Sequence, residues 1–136
     1  MSFNDLQDLL PEITDLNAPF WDGLAAGELR LQHCRACNSV QHPPESFCYA
    51  CGSQDVVWQA VEGEGEVYSF IVVHQLYHAA FKDLLPYVVA IVQLDAGPRM
   101  LGLMPGEGRP AIGARVRPRF QPIGEGRSVL TFEPAA

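Results

Sequence analysis

All four cysteines of the 136-residue chain fall between Cys34 and Cys51. They form two units, Cys34-Arg-Ala-Cys37 and Cys48-Tyr-Ala-Cys51. A C-x-x-C turn presents two thiolates from one tight knuckle. Two knuckles carried by a short hairpin supply the four corners of a tetrahedral metal site. Gly52 follows the second pair, where a knuckle can require positive φ. Asn38 holds the equivalent place after the first pair, and asparagine also tolerates the left-handed region. The spacing fits a zinc ribbon or a rubredoxin-like knuckle pair. Zinc is favoured, although iron takes four thiolates in the same geometry. Two disulfides would suit an exported protein, but Met1 to Leu10 has no signal-peptide core. A redox C-x-x-C usually comes singly beside a βαβ pattern, which is absent. Four sulfur ligands leave no open coordination position, so the expected Zn2+ is structural and does not activate water. His33 and His42 flank the cysteines and are expected to be hydrogen-bonding or surface residues.

The next chemically suggestive group is cationic. Arg115, Arg117 and Arg119 alternate with Val116, Pro118 and Phe120, which puts the arginines on one face of a strand. Such a strip suits a small phosphorylated ligand or an acidic partner, or is the solvent face of a half-buried strand. Arg99 and Arg109 border turns and can reach the same ligand. Pro105 to Arg109 is a loop suited to binding, or a connector. His74 and His78 invite an acid/base reading, but no carboxylate stands beside them in the sequence, and ordinary loop and rim histidines are favoured. There is no Ser-His-Asp order, P-loop or dinucleotide fingerprint, and the thiols are committed to metal, so no catalytic set is assigned. Phe20 and Trp21, together with Tyr77, Phe81 and Tyr87, are aromatic groups expected to dock a partner.

Composition narrows the function classes. Nine Lys+Arg against sixteen Asp+Glu give a net charge of −7. Residues 1–68 carry most of the acid, with Arg30 and Arg35 as their only bases; the arginines gather in the second half. This balance and the single lysine, Lys82, argue against nucleic-acid binding, although zinc ribbons and OB barrels can both serve it. No apolar run approaches the ~18–20 residues needed to cross a bilayer. A cytoplasmic protein is expected, with no membrane partner.

These groups need a frame. Ser2 can cap a short helix carrying Phe3, Leu6, Leu9 and Leu10, ending before Pro11. Asn17 can cap a second helix with Pro19 in its first turn and Gly27 past its end. Leu29 and Leu31 alternate with polar residues and enter the ribbon; Val56 to Val61 leaves it. Pro43-Pro44 excludes a helix between the knuckles. Five strands follow: Gly65 to Gln75, Tyr87 to Leu94, Arg99 to Met104, Arg115 to Gln121 and Val129 to Glu133. A loop or short helix spans His78 to Leu85, and Asp95 to Pro98 is a turn. The expected organisation is a helical segment (1–28), a zinc ribbon (29–61) and an OB-type domain (62–136). The fold class is mainly β, with an N-terminal helix and a five-stranded barrel.

The order of motifs supplies a resemblance. It runs Phe20-Trp21-Asp22-Gly23, Gly27-Glu28-Leu29, the two cysteine pairs around Pro43-Pro44, and Gly63-x-Gly65-x-Val67-Tyr68-Ser69-Phe70. Pro86-Tyr87-Val88-Val89-Ala90 and Ile112-Gly113-x-x-Val116 complete it. Over about residues 18–134 the chain resembles the OB-fold acyl-CoA-associated proteins with a rubredoxin-like zinc ribbon, once catalogued as a domain of unknown function. Asn38 departs from the glycine common at that place. The resemblance implies a small, non-catalytic subunit in a hetero-oligomer. Its partner would be a thiolase-superfamily enzyme, a thiolase, synthase or aldolase, or alternatively a hot-dog acyl-CoA hydratase. It also implies a share in that partner's CoA or acyl site, with Arg99, Arg109, Arg115, Arg117 and Arg119 as the candidates to meet CoA.

Overall fold

The computed structural model describes residues 4–106 and 108–135. Eight strands are numbered in chain order: β1 (Leu29–Cys34), β2 (Val40–Gln41), β3 (Val56–Val61), β4 (Gly65–Val73), β5 (Tyr87–Leu94), β6 (Arg99–Leu103), β7 (Arg115–Gly124) and β8 (Arg127–Pro134). One α-helix, α1 (Ala18–Ala25), precedes them, and two 3₁₀ turns lie at Asn4–Leu9 and Ala79–Phe81. The expected N-terminal helix is the first of these turns; Ser2 and Phe3 lie outside the described residues. Pro19 sits in the first turn of α1, where a missing N–H costs nothing. Gly27, at φ 79°, turns the chain out of the helix. Asn17 begins α1 without capping it by its side chain. That side chain instead accepts from the Thr14 amide and donates to the Glu12 carbonyl.

The ribbon is a three-stranded antiparallel sheet ordered β2-β1-β3. The other five strands close a barrel ordered β4-β5-β6-β8-β7. The barrel consists of a β4-β5-β6 meander and a β7-β8 hairpin. Two short seams join them: Gly65 and Glu66 opposite Val116 and Arg115, and a single parallel pairing of Leu103 with Thr131. β5 alternates inward Val88, Ala90, Val92 and Leu94 with outward Tyr87, Val89, Ile91 and Gln93. Phe132 from β8 fills the barrel interior and is 1% exposed. Gly102 on β6 makes room for it, since a Cβ there would run into the edge of the ring.

Ribbon and barrel share one core. Leu24 of α1 and Leu29 and Leu31 of β1 belong to the same buried cluster as Val67, Val88, Val116 and Phe132. The helix packs on β1, β7 and β8. A smaller cluster of Leu6, Leu84 and Ile123 lies beneath the two 3₁₀ turns.

Candidate metal centre and the surfaces around it

The two knuckles are built by the same backbone bonds. The amide of Cys34 donates to the Ser39 carbonyl at 2.9 Å, and the Asn38 amide returns to the Cys34 carbonyl at 2.8 Å. Further along the chain the pattern repeats. Cys48 donates to the Ser53 carbonyl at 2.8 Å, and Gly52 donates to the Cys48 carbonyl at 2.9 Å. Asn38 and Gly52 take positive φ, 66° and 77°, as their residue types allow. The serine after each left-handed residue was a sequence signal of this internal duplication; the cysteine spacing alone does not show it.

All four sulfurs lie within 4.8 Å of one another. Cys34 and Cys51 are 3.6 Å apart, as are Cys37 and Cys48, and none is in a disulfide. A tetrahedron with zinc–sulfur bonds of about 2.3 Å has edges of about 3.8 Å, so the donor set fits a tetrathiolate ion. Cys34 and Cys48 are buried; Cys37 and Cys51 face outward. The Ser39 hydroxyl and then its amide hold the Cys37 thiol down, from 9.0 to about 6. Cys51 receives a backbone hydrogen bond from Ser53 that favours its thiolate. The neighbouring sulfurs, Cys37 foremost, nevertheless push it up to about 12. Four negative sulfurs at this spacing therefore need a cation among them. Cys34, Cys37, Cys48 and Cys51 would hold it.

Two buried glutamines, not anticipated from the sequence, fix the second knuckle against the first. Gln32 and Gln41 are register partners on β1 and β2. The Gln41 amide donates to Gln32 Oε1 and to the Phe47 carbonyl, both at 2.9 Å, and its Oε1 accepts from the Tyr49 amide at 2.8 Å. Gln32 donates to the Glu45 carbonyl and accepts from the Glu45 amide, both at 2.9 Å. The loop entering Cys48 is thus held by side chains on β1 and β2. Arg35 pairs with Asp55 across the base of the ribbon.

The other residues singled out in the sequence fall into separate places. His33 lies on β1 opposite Val57. His42 is half-buried with its ring 5.1 Å from that of Phe20, and burial lowers its pKa. Exposed His78 accepts the Ala80 amide through Nδ1, capping the short turn, and His74 is exposed at the end of β4. Phe20 and Trp21 are half-buried against the main core, with Arg127 stacked over Trp21 at 4.7 Å. Phe81 stacks on Tyr87 at 5.1 Å beside the smaller core, while Tyr77 is 74% exposed.

The alternating arginines of β7 do share the solvent face, but each has an acidic neighbour. Arg115 makes a bidentate pair with Asp95, whose carboxyl it holds below its ordinary range. Arg117 pairs with Glu133 at 2.9 Å, and Arg119 approaches the same carboxylate at 3.9 Å. Arg99 stacks on the Tyr68 ring at 3.7 Å and is hydrogen-bonded to Gln93; Arg109 lies 5.7 Å from the Phe70 ring. Among the described helices, none is long and apolar enough to cross a membrane.

Known proteins share this arrangement. Residues 21–57 match the family model of the ChsH2 rubredoxin-like zinc ribbon domain, and residues 58–121 match that of the ChsH2 C-terminal OB-fold domain. The chain is 43% identical over 93 residues to a probable enoyl-CoA hydratase alpha subunit of Thermomonospora curvata, covering 67% of this chain and 28% of that protein. It is 38% identical over 105 residues to the 3-oxo-4,17-pregnadiene-20-carboxyl-CoA hydratase alpha subunit of Mycobacterium tuberculosis, covering 74% of this chain and 32% of that protein. It thus spans about a third of these relatives' length. A solved chain of the Ltp2-ChsH2(DUF35) aldolase superposes with a TM-score of 0.83 at 34% identity, over 93% of this chain and 100% of that one. The two family models follow one another along the chain, which belongs to the ChsH2/DUF35 family.

Proposed function

We propose that this chain is an accessory subunit of an acyl-CoA-handling enzyme complex. In this reading it docks beside a thiolase-superfamily enzyme that makes or breaks a carbon–carbon bond on a CoA thioester, and lends surface to that enzyme's CoA and acyl site. The observation that carries the reading is the match along nearly the whole chain to a chain of the solved Ltp2-ChsH2(DUF35) aldolase. Two features of the chain support it. Its metal site is filled by four sulfur donors, which suits zinc as a brace for the ribbon rather than a Lewis acid. His74 and His78 are exposed and stand apart from any carboxylate pairing among the described residues. The pairing of Arg115, Arg117 and Arg119 with carboxylates leaves Arg99 and Arg109 as the more available of the five arginines.

A hydratase as the partner is the second reading, favoured by the names of the two curated relatives. One experiment separates the two. The tagged chain is expressed in its native host, and proteins recovered with it are identified and assayed for retro-aldol or thiolytic cleavage and for hydration of acyl-CoA substrates. Cleavage by the complex, with none by the isolated chain, is expected. Hydration alone favours the second reading. Turnover by the isolated chain, or recovery of no acyl-CoA enzyme, refutes the accessory role.

A further inference from the structure

The outward residues of the β4-β5-β6 meander form rows across the sheet. Ile71, Val89 and Leu103 make one row; Ser69, Ile91 and Leu101 make the next; Glu66, Gln93 and Arg99 make the third. An antiparallel sheet with its inner face on a core ordinarily turns polar residues outward. Here the first two rows are aliphatic apart from Ser69, and Ile71 and Leu101 are 61% and 68% exposed. With Phe70 they line a shallow apolar recess of about 190 Å³.

The chain covers one end of this face itself. Leu103 and Tyr87 pack against the small core beneath the 3₁₀ turns. The opposite end is bordered by half-exposed Tyr68 with Arg99 laid over its ring, while Arg109 stands near the Phe70 ring. A guanidinium stacked on an aromatic ring is held in place and loses little freedom when it meets a carboxylate. Neither Arg99 nor Arg109 forms an ion pair among the described residues, unlike the three arginines of β7.

We propose that this face is the seat of the partner enzyme, and that the partner presents an apolar ridge flanked by carboxylates. The ridge covers Ile71, Ile91 and Leu101, and the carboxylates meet Arg99 and Arg109. The inference rests on the accessory role above and adds the surface and its chemistry. Charge decides against a second copy of this chain as the occupant. A two-fold copy would match Arg99 with Glu66 but bring no carboxylate of these rows to Arg109.

The test uses the full chain and the acyl-CoA enzyme recovered with it. Affinity is measured for wild type, L101D, the double variant R99E/R109E, and the remote exposed control E12K. L101D places a charge at the apolar centre and is expected to weaken binding about 100-fold. R99E/R109E should weaken it about tenfold, chiefly through a slower, less salt-sensitive association. E12K should bind as wild type does, and all variants should keep the wild-type melting temperature. Undiminished binding of both L101D and R99E/R109E overturns the surface assignment while leaving the accessory role intact. Recovery of no acyl-CoA enzyme with wild type overturns both. Sedimentation of the chain alone should give a monomer; a dimer that L101D dissociates overturns the proposal in favour of self-association.

Discussion

Gly102→Ala offers a sharp test of how the barrel interior is filled. The added Cβ would stand 2.6 Å from Phe132 Cε2 and closer still to Cδ2. Carbon atoms in contact prefer at least about 3.5 Å, so the ring must retreat by about 1 Å. It is 1% exposed inside a closed barrel, with no solvent side to move into. Overpacking of this kind costs about 2 kcal/mol. For a chain of this size, that corresponds to a melting temperature about 6–8 °C lower. Phe132→Leu alone removes ring volume and should cost about 1–2 kcal/mol. In the double variant the methyl added at position 102 enters the space the ring vacates. G102A/F132L should then be no less stable than F132L alone, a favourable coupling of about 2 kcal/mol. Calorimetry of the four proteins in zinc-containing buffer reads the cycle. Simple additivity of the two losses would refute the claim that Gly102 exists to admit Phe132.

Three further outcomes are expected. The purified chain should carry about one zinc per molecule. Cys37→Ser or chelation should forfeit much of a binding energy of roughly 10 kcal/mol and speed amide exchange in 34–53 well before β5; metal analysis and hydrogen exchange check this. Gln41→Ala strands the Phe47 carbonyl and Tyr49 amide and should cost about 2–4 kcal/mol, with faster zinc loss to a chelator. For His42, burial lowers the folded-state pKa below the ordinary 6.5, so the unfolded chain binds its proton more readily. Its contribution is intact above pH 6.5 and lost as pH falls below that value toward the folded pKa. Urea unfolding between about pH 7.5 and 5.5 should therefore show a smaller fall in stability for His42→Phe than for wild type.

The sequence made the strands and the metal legible because both have short-range signatures. Tyr87 to Leu94 is read to the residue, since an apolar, largely β-branched run is bounded by Pro86 and the Asp95 to Pro98 turn. The knuckles follow from cysteine spacing and from Asn38 and Gly52. β2 escapes notice because two residues carry no period. The glutamine clasp escapes because Gln32 and Gln41 look like the polar half of an alternating strand; their burial depends on a loop closing over them. The β7 strip is read correctly as one face, but Glu133 arrives from the neighbouring β8 and Asp95 from the β5–β6 turn, and only the folded chain reveals the pairs. Ile71 escapes too: plain alternation from buried Val67 would turn it inward, and only the bulge between Val67 and Ser69 brings it to the outer face.

The seams of the barrel bear on how such a protein can change over time. β4-β5-β6 and β7-β8 are each long ladders with one register break apiece, fastened to one another by a few residue pairs. The connection between the two halves spans 104–114; it carries Arg109, near the Phe70 ring, but no member of the rows that hold Ile71 and Leu101. Lengthening that connection, or exchanging the hairpin wholesale, leaves those rows in register. A lineage could therefore exchange the β7-β8 hairpin while the β4-β5-β6 meander keeps its outer face unchanged.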